Sequence, residues 1–267
     1  MKLPISAIVV GYNEQKLLEK CLPQLSFCDE ILYFDLGSSD DSIATATKFG
    51  AKITLHEKVD SCEWIHTKYA DKTKNEWVLI TDPDEIIGPG LIDSIFQLFN
   101  TGITKNIGSI TAPWIFYFKG KKLTGTNWGG INRRVLLVNN KRFEFLPLIH
   151  VSRQLLKGYE QYDILYNDDN YISHFWMESY YKLIEKHLRY LRNEAEARYF
   201  IGRTVTFKNI IKEPYRAFRY SFITKKGNKD GFKGLFLSFF WAWYETSAQL
   251  RTYFYQKKMA EKSNQRI

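Results

Sequence analysis

Four apolar or β-branched runs, Ile5 to Val10, Glu30 to Asp35, Ala51 to Leu55 and Trp77 to Thr81, alternate with helical patterns over the first third of the chain. Strands separated by helices cannot pair through tight turns, so this rhythm requires parallel strands joined by crossover helices. Ile5-Ser6-Ala7-Ile8-Val9-Val10 is almost continuously apolar, as expected of a strand covered on both faces. Gly11-Tyr12-Asn13-Glu14 leads into a helix with Leu17, Leu18, Cys21 and Leu22 on one face, and Asn13 is its expected cap. The turn Gly37-Ser38-Ser39-Asp40-Asp41-Ser42 opens a second helix that Gly50 can end, and a third is expected over 61–73. Pro89 then marks a helix start, Leu91, Ile92, Ile95, Phe96 and Phe99 form its apolar stripe, and Gly102 lies beyond its end. The fold class expected is α/β, a Rossmann-like, mostly parallel sheet flanked by helices.

The fourth strand ends in Asp82-Pro83-Asp84-Glu85. Open α/β sheets bind ligands outside the carboxyl ends of their strands, which is where these acids fall. Two carboxylates one residue apart suit a hard cation. Mg²⁺ or Mn²⁺ is usually held by one or two protein carboxylates, with substrate phosphates and water completing the octahedron. Asp82 and Asp84 are therefore the expected metal ligands, with an Asp-Pro turn of solvated acids as the plain alternative.

From Ile107 to His150 short aromatic or β-branched strands alternate with turns at Gly120, Gly125, Gly129 and Gly130. Met177 to Phe200 reads as a long amphipathic helix with Tyr180, Leu183, Ile184, His187, Leu188 and Leu191 inward. Three parts are expected: 1–105 as the nucleotide-binding half, 106–175 as an acceptor-side part of the same domain, and 176–267 as a helical extension. A content of 45% hydrophobic and 16% aromatic residues excludes a disordered chain. Cys21, Cys28 and Cys62 lack metal-type spacing and read as reduced thiols. Met1-Lys2-Leu3-Pro4 runs straight into a strand pattern without a leader-like apolar region, so a cytoplasmic protein is expected.

Charge is unevenly distributed. From residue 201 onward there are fourteen Lys or Arg and four Asp or Glu, a net of +10 against +9 for the whole chain. Such a tail suggests an anionic partner, membrane lipid or nucleic acid. The apolar segment from Leu235 to Tyr244 is too short to span a bilayer, which takes about 20 residues, and reads either as an interfacial segment or as a core helix.

With Gly11-Tyr12-Asn13-Glu14, Asp35-x-Gly37-Ser38-x-Asp40 and Asp82-x-Asp84-Glu85 in this order, the chain resembles glycosyltransferase family 2, and more narrowly the bacterial lipopolysaccharide-core type of glucosyltransferase. Weaker matches are Arg133-Arg134, His150, the block Ile172-Ser173-His174-Phe175 opening a helix with Tyr190, and Gly227-x-x-Asp230-Gly231. The resemblance implies a GT-A fold, an inverting transfer, a nucleotide-sugar donor (UDP favoured) and a divalent cation, Mn²⁺ or Mg²⁺. It places Tyr12 against the base, Asp35 on a base N–H, Asp82 near the ribose or metal and Asp84 on the metal. Asn13, Glu14 and Arg134 join the expected donor site. Arg133 and Arg134 could clamp diphosphate, although alternation along a strand would let only one face the site. Two departures are Pro83, where the group has a small residue, and Val151, where the narrower group has an acid after the histidine.

Inversion by single displacement needs a base for the acceptor hydroxyl. Glu85, His150 and Asp163, with Asp168 and Asp169, are the candidates among which the sequence does not choose. His150 and His174 are further candidates for metal or phosphate contacts. The expected activity is hexose transfer to a lipid-linked glycan such as lipopolysaccharide core, by a protein peripheral on the inner face of a bacterial plasma membrane and in contact with anionic lipid. The alternatives are a capsule or other polysaccharide transferase, a nucleic-acid-binding protein and an inactive glycosyltransferase-like scaffold.

Overall fold

The computed structural model describes residues 2–59, 61–102, 105–145 and 153–264. The chain divides into two compact units: the first comprises 1–115 and 131–176, the second 116–130 and 177–267. The segment 116–130, expected in the middle part, clusters with the C-terminal helices.

The first unit opens with β1 (Leu3–Gly11), α1 (Gln15–Cys21), β2 (Cys28–Asp35), α2 (Ser42–Lys48), β3 (Lys52–Leu55), α3 (Glu63–Tyr69) and β4 (Trp77–Thr81). Next come β5 (Glu85–Ile87), α4 (Pro89–Asn100) and β6 (Ile107–Phe118), whose last residues, with β7 (Lys121–Lys122), fall in the second unit. β8 (Asn132–Asn139), β9 (Phe143–Phe145), β10 (Arg153–Leu155), β11 (Glu160–Asp163) and β12 (Ile172–Met177) complete the strands. The ten-stranded sheet runs β3-β2-β1-β4-β8-β6-β12-β5, with β11 and β7 also pairing with β6, while β9 and β10 form a separate hairpin. β1, β2, β3 and β4 are mutually parallel, as the βαβ rhythm demands, and β8 joins β4 antiparallel.

β1 and β4 are buried along almost their whole length, so their apolar runs are covered on both faces. One core cluster packs Ile5, Ala7 and Val9 with Leu18, Leu22, Leu91 and Ile95; the other packs Ile8 and Val10 with Ile65, Val78 and Ile80. α4 starts at Pro89 and ends before Gly102, whose φ of 67° is a left-handed stop. α3 is shorter than expected and gives way to a 3₁₀ turn at Ala70–Lys72.

The second unit contains α5 (Tyr180–Phe200), α6 (Phe207–Arg219) and α7 (Gly231–Asn264). α5 starts after Ser179, whose side chain accepts from Lys182 N, so Met177 and the block Ile172 to Phe175 lie in β12 rather than in a helix. Its inward stripe is Leu183, His187, Leu191, Glu194, Ala195 and Arg198, whereas Ile184 and Leu188 are exposed. The charged members are inward because they satisfy one another. Arg198 donates to Glu194 Oε1 at 2.8 Å and to both Glu245 oxygens at 3.0 and 2.9 Å, and Tyr244 O–H donates to Glu194 Oε2 at 3.0 Å. His187 Nδ1 donates to the Leu183 carbonyl at 2.8 Å, and the rings of Trp128, Tyr190, Phe240 and Tyr244 surround the imidazole. Burial pushes its pKa down to about 4.

The Leu235 to Tyr244 segment lies within α7: Leu237, Phe240, Ala242 and Tyr244 are buried, while Phe239 and Trp243 face outward. Among the described residues no helix is long and apolar enough to cross a membrane.

Replacing Arg198 by Met should cost about 3–5 kcal/mol, because two largely buried carboxylates lose their cation; the urea midpoint measures it, and an unchanged midpoint contradicts the network. His187 should add a pH dependence. As pH falls below 6.5 the unfolded chain takes up this proton first, so stability declines until about pH 4 and then levels. His187→Asn should remove that part of the slope in urea titrations at several pH values.

Candidate functional site

Gly11 pairs with Asp35 across β1 and β2, and Val9 with Thr81 across β1 and β4. The Gly11 to Glu14 loop, Asp35 and the Asp82 to Glu85 turn therefore emerge at the carboxyl edges of three adjacent parallel strands. Gly11 is needed there: a Cβ would stand 2.8 Å from the Tyr33 hydroxyl oxygen.

The first two loops are laced together. Asn13 N donates to Ser38 Oγ at 2.9 Å, and Asn13 Oδ1 accepts from Ser39 N at 2.7 Å. Glu14 N donates to Ser42 Oγ at 2.9 Å and Gln15 N to Asp40 Oδ2 at 3.1 Å. Asn13 takes φ of 56°, and α1 is capped by Glu14 without a side-chain bond, so the expected Asn13 cap is corrected: its amide ties two loops instead. Asp35 is buried and serves its own turn, accepting from Gly37 N at 3.0 Å, Ser38 N at 2.8 Å and the Tyr33 hydroxyl at 3.2 Å. Tyr12 is exposed beside it, with Lys58 Nζ 4.0 Å from its ring centroid. A stacking face at the edge is thus present.

The acidic turn is built on a buried ion pair. Glu85 is fully buried; Oε2 accepts from Asp82 N at 3.0 Å and Thr81 Oγ at 3.1 Å, and Oε1 pairs with Arg134. Arg134 Nη1 also stands 3.4 Å from Asp82 Oδ2, and its guanidinium lies over the Trp114 ring, 5.4 Å from the centroid. On the other side of the turn, Phe175 N donates to the Asp84 carbonyl at 2.8 Å and His174 Nε2 lies 3.2 Å from Asp84 Oδ2. Because a carboxylate only accepts, Nε2 carries the proton. The His174 imidazole stacks on Trp114, with centroids 4.7 Å apart and planes 9° apart. Arg134 and His174 thus each orient one of the two aspartates, and both touch Trp114. Cys21 Sγ lies 3.7 Å from the Asp82 carbonyl, and its thiol is pushed up by burial and then by the Asp84 and Asp82 charges, which makes it inert.

The other candidates lie apart from this group or elsewhere in the fold. Arg133 and Arg134 alternate on β8; Arg133 donates to the Ile164 carbonyl at 2.9 Å and stands 3.7 Å from Asp163. Asp163, on β11, is half-exposed and accepts from Thr111, a bond that lowers its pKa. Asp168 accepts from the Tyr166 hydroxyl at 3.0 Å, and the Asp169 backbone packs against Gly88. His150 and Val151 lie outside the described residues. Glu85 departs from the expectation of a base: its oxygens are committed to Arg134, Thr81 and the Asp82 amide, away from solvent. The sequence reading missed Trp114, whose partners come from β8 and β12 and leave no local signal.

Among the described residues no three His, Cys, Asp or Glu side chains form a metal-holding group. Asp82 and Asp84 nevertheless fit Mg²⁺ or Mn²⁺: both remain partly exposed at the sheet edge, and two carboxylates suffice when phosphate oxygens complete the shell.

No protein-family model matches the chain. It is 30% identical over 101 residues to an uncharacterized glycosyltransferase of Rickettsia conorii, covering 36% of this chain and 34% of that protein. A Rickettsia bellii counterpart is 29% identical over 98 residues, with 36% and 32% covered. The matched stretch thus spans about a third of the length of these relatives. Among solved structures, similarity extends to glucosyl-3-phosphoglycerate synthase from Mycobacterium tuberculosis in complex with Mn²⁺, UDP and glucosyl-3-phosphoglycerate (20% identity, TM-score 0.33, 42% of this chain and 44% of that one). It also extends to TarS of S. aureus (15% identity, TM-score 0.44, 85% and 45%).

Glu85→Gln should cost on the order of 3 kcal/mol of stability, read as a lower urea midpoint, because Arg134 loses its buried counter-charge. An anchoring carboxylate produces that loss; a base would affect turnover while leaving the midpoint unchanged.

Proposed function

We propose that the chain is an inverting glycosyltransferase that moves a hexose from a UDP-sugar to a lipid-linked glycan such as lipopolysaccharide core. The observation that carries this reading is the pair Asp82 and Asp84 at the carboxyl edge of β4, each oriented by a separate nitrogen donor. The partial similarity to glycosyltransferases of Rickettsia supports the same class.

In this reading Tyr12 offers its exposed ring to the donor base, and the Asn13 to Glu14 loop closes the rim beside it. Asp35 acts through its turn: by fixing the Gly37 and Ser38 amides it keeps the loop open at the position where the base enters. Asp82 and Asp84 hold the divalent cation, which when bound neutralises the leaving diphosphate. Arg134 aims Asp82, and His174 aims Asp84. The acceptor hydroxyl attacks the anomeric carbon opposite the diphosphate, the bond from that carbon to the phosphate oxygen breaks with its electrons leaving on UDP, and the hydroxyl proton passes to a base. Glu85 is buried in its ion pair, which leaves Asp163, Asp168, Asp169 and His150 as the groups to substitute one by one.

The test is UDP release from a panel of UDP-hexoses, with lipopolysaccharide-core oligosaccharide as acceptor and Mn²⁺ or chelator present. Asp84→Ala should reduce Mn²⁺-dependent turnover by about a hundredfold or more while the urea midpoint holds. Turnover that survives both chelator and Asp84→Ala overturns the metal role, and donor binding with no release on any acceptor identifies a scaffold instead.

A further inference from the structure

The basic C-terminal region has a built face for an anionic surface. α6 is sorted by side. Ile210, Glu213 and Ala217 are buried at i, i+3 and i+7. Phe207, Ile211 and Tyr215 recur every four residues on the outer side and are 59%, 65% and 73% exposed. Lys208, Lys212 and Arg219 project from adjoining outward rows and are also exposed. The single acid of this helix, Glu213, is the one turned inward, where Arg216 meets it at 2.6 Å. The outer side of α6 therefore presents an apolar strip beside a cationic one, with no carboxylate between them.

The apolar strip continues onto α7. Phe232, Phe239, Trp243, Leu250 and Phe254 fall at i, i+7, i+11, i+18 and i+22, one side of the helix over about 33 Å, and all are exposed. Phe218 of α6 joins the two, its ring 4.5 Å from that of Phe239. Exposed apolar area of this extent marks an interaction surface. Charge selects the occupant. Of the four acids from residue 201 on, Glu213 is buried, Glu245 is paired with Arg198, and Asp230 accepts from Thr124 and Gly125. Three of the four acids are thus turned to internal partners, the fourth, Glu261, is exposed near the end of α7, and Lys208, Lys212 and Arg219 of α6 face outward. Lys233, next to Phe232, is held below the ordinary lysine value by partial burial and by Lys121 and Lys119, a cluster that an anion would relieve. A seam between two protein copies disfavours lysine, whereas a bilayer interface takes up aromatic rings and places lysine and arginine on lipid phosphates.

We propose that the outer face of α6, continued by the exposed stripe of α7, docks on an anionic phospholipid bilayer, with Phe207, Ile211 and Tyr215 entering the interface and Lys208, Lys212 and Arg219 contacting headgroup phosphates. This rests on the two helices alone and is independent of the transfer reaction proposed above.

The experiment is co-sedimentation of the full chain with phosphatidylglycerol–phosphatidylcholine vesicles and with pure phosphatidylcholine vesicles, alongside its mass in solution. Wild type should bind the anionic vesicles and bind the zwitterionic ones far more weakly. Lys208→Gln, Lys212→Gln and Arg219→Gln together should weaken anionic binding roughly a hundredfold, at about 1 kcal/mol per cation. Ile211→Asp with Tyr215→Asp should weaken it at least about tenfold by removing the inserted side chains. Both sites are exposed, so the urea midpoint should hold in each variant. Unchanged vesicle binding in either variant overturns the proposal. So does a wild-type dimer that Ile211→Asp with Tyr215→Asp converts to monomer without changing vesicle binding, or binding to a duplex DNA that outcompetes the vesicles.

Discussion

The buried ion pair between Glu85 and Arg134 is the interaction on which the candidate site depends. A carboxylate with no solvent access is tolerable only if its lone pairs are met, and here a guanidinium, a threonine hydroxyl and the Asp82 amide meet them. The pair spans from the turn after β4 to β8, so the turn cannot swing away without exposing an unpaired charge. Asp82 is thereby held at the sheet edge, and Asp84 is held independently through β12 by the Phe175 amide and His174. Trp114 lies against both Arg134 and His174, packing the two halves of the clamp on one ring.

Much of the parallel half of the fold was legible because it depends on signals local to the chain. β1 and β4 are continuous apolar runs, and α4 is bracketed by Pro89 and Gly102, each of which acts through its own backbone. The alternation that lets only one of Arg133 and Arg134 face the acids was equally readable, because strand periodicity is fixed. The failures concern residues whose fate is set at long range. Ile172 to Met177 alternates buried and less buried positions as a strand does, but its pairing with β5 lies far away in sequence. Asn13 looks like a cap by composition, yet its amide is engaged by Ser39 on another loop. Glu85 reads as a reactive acid beside two others until Arg134, some fifty residues on, is seen to neutralise it.

The helical unit shows the same logic with charge. Its long helices turn Glu194 and Glu245 onto the buried Arg198 and bury Glu213 beneath Arg216, an outcome that hydrophobic periodicity cannot anticipate because it treats every charged residue as outward. With Glu213 turned inward, α6 keeps its cations on the surface with no acid among them. That is why a modest excess in composition becomes an outward face of α6 without carboxylates.

The central claim is that Asp82 and Asp84 form one half of a diphosphate-metal site whose other half is the ligand. Calorimetric titration of the full chain with UDP, in Mn²⁺ and then in chelator, tests it most directly. The account predicts UDP binding that requires Mn²⁺ and disappears in Asp84→Ala, with the protein still folded. Binding of equal strength in chelator, or unchanged in Asp84→Ala, would contradict it.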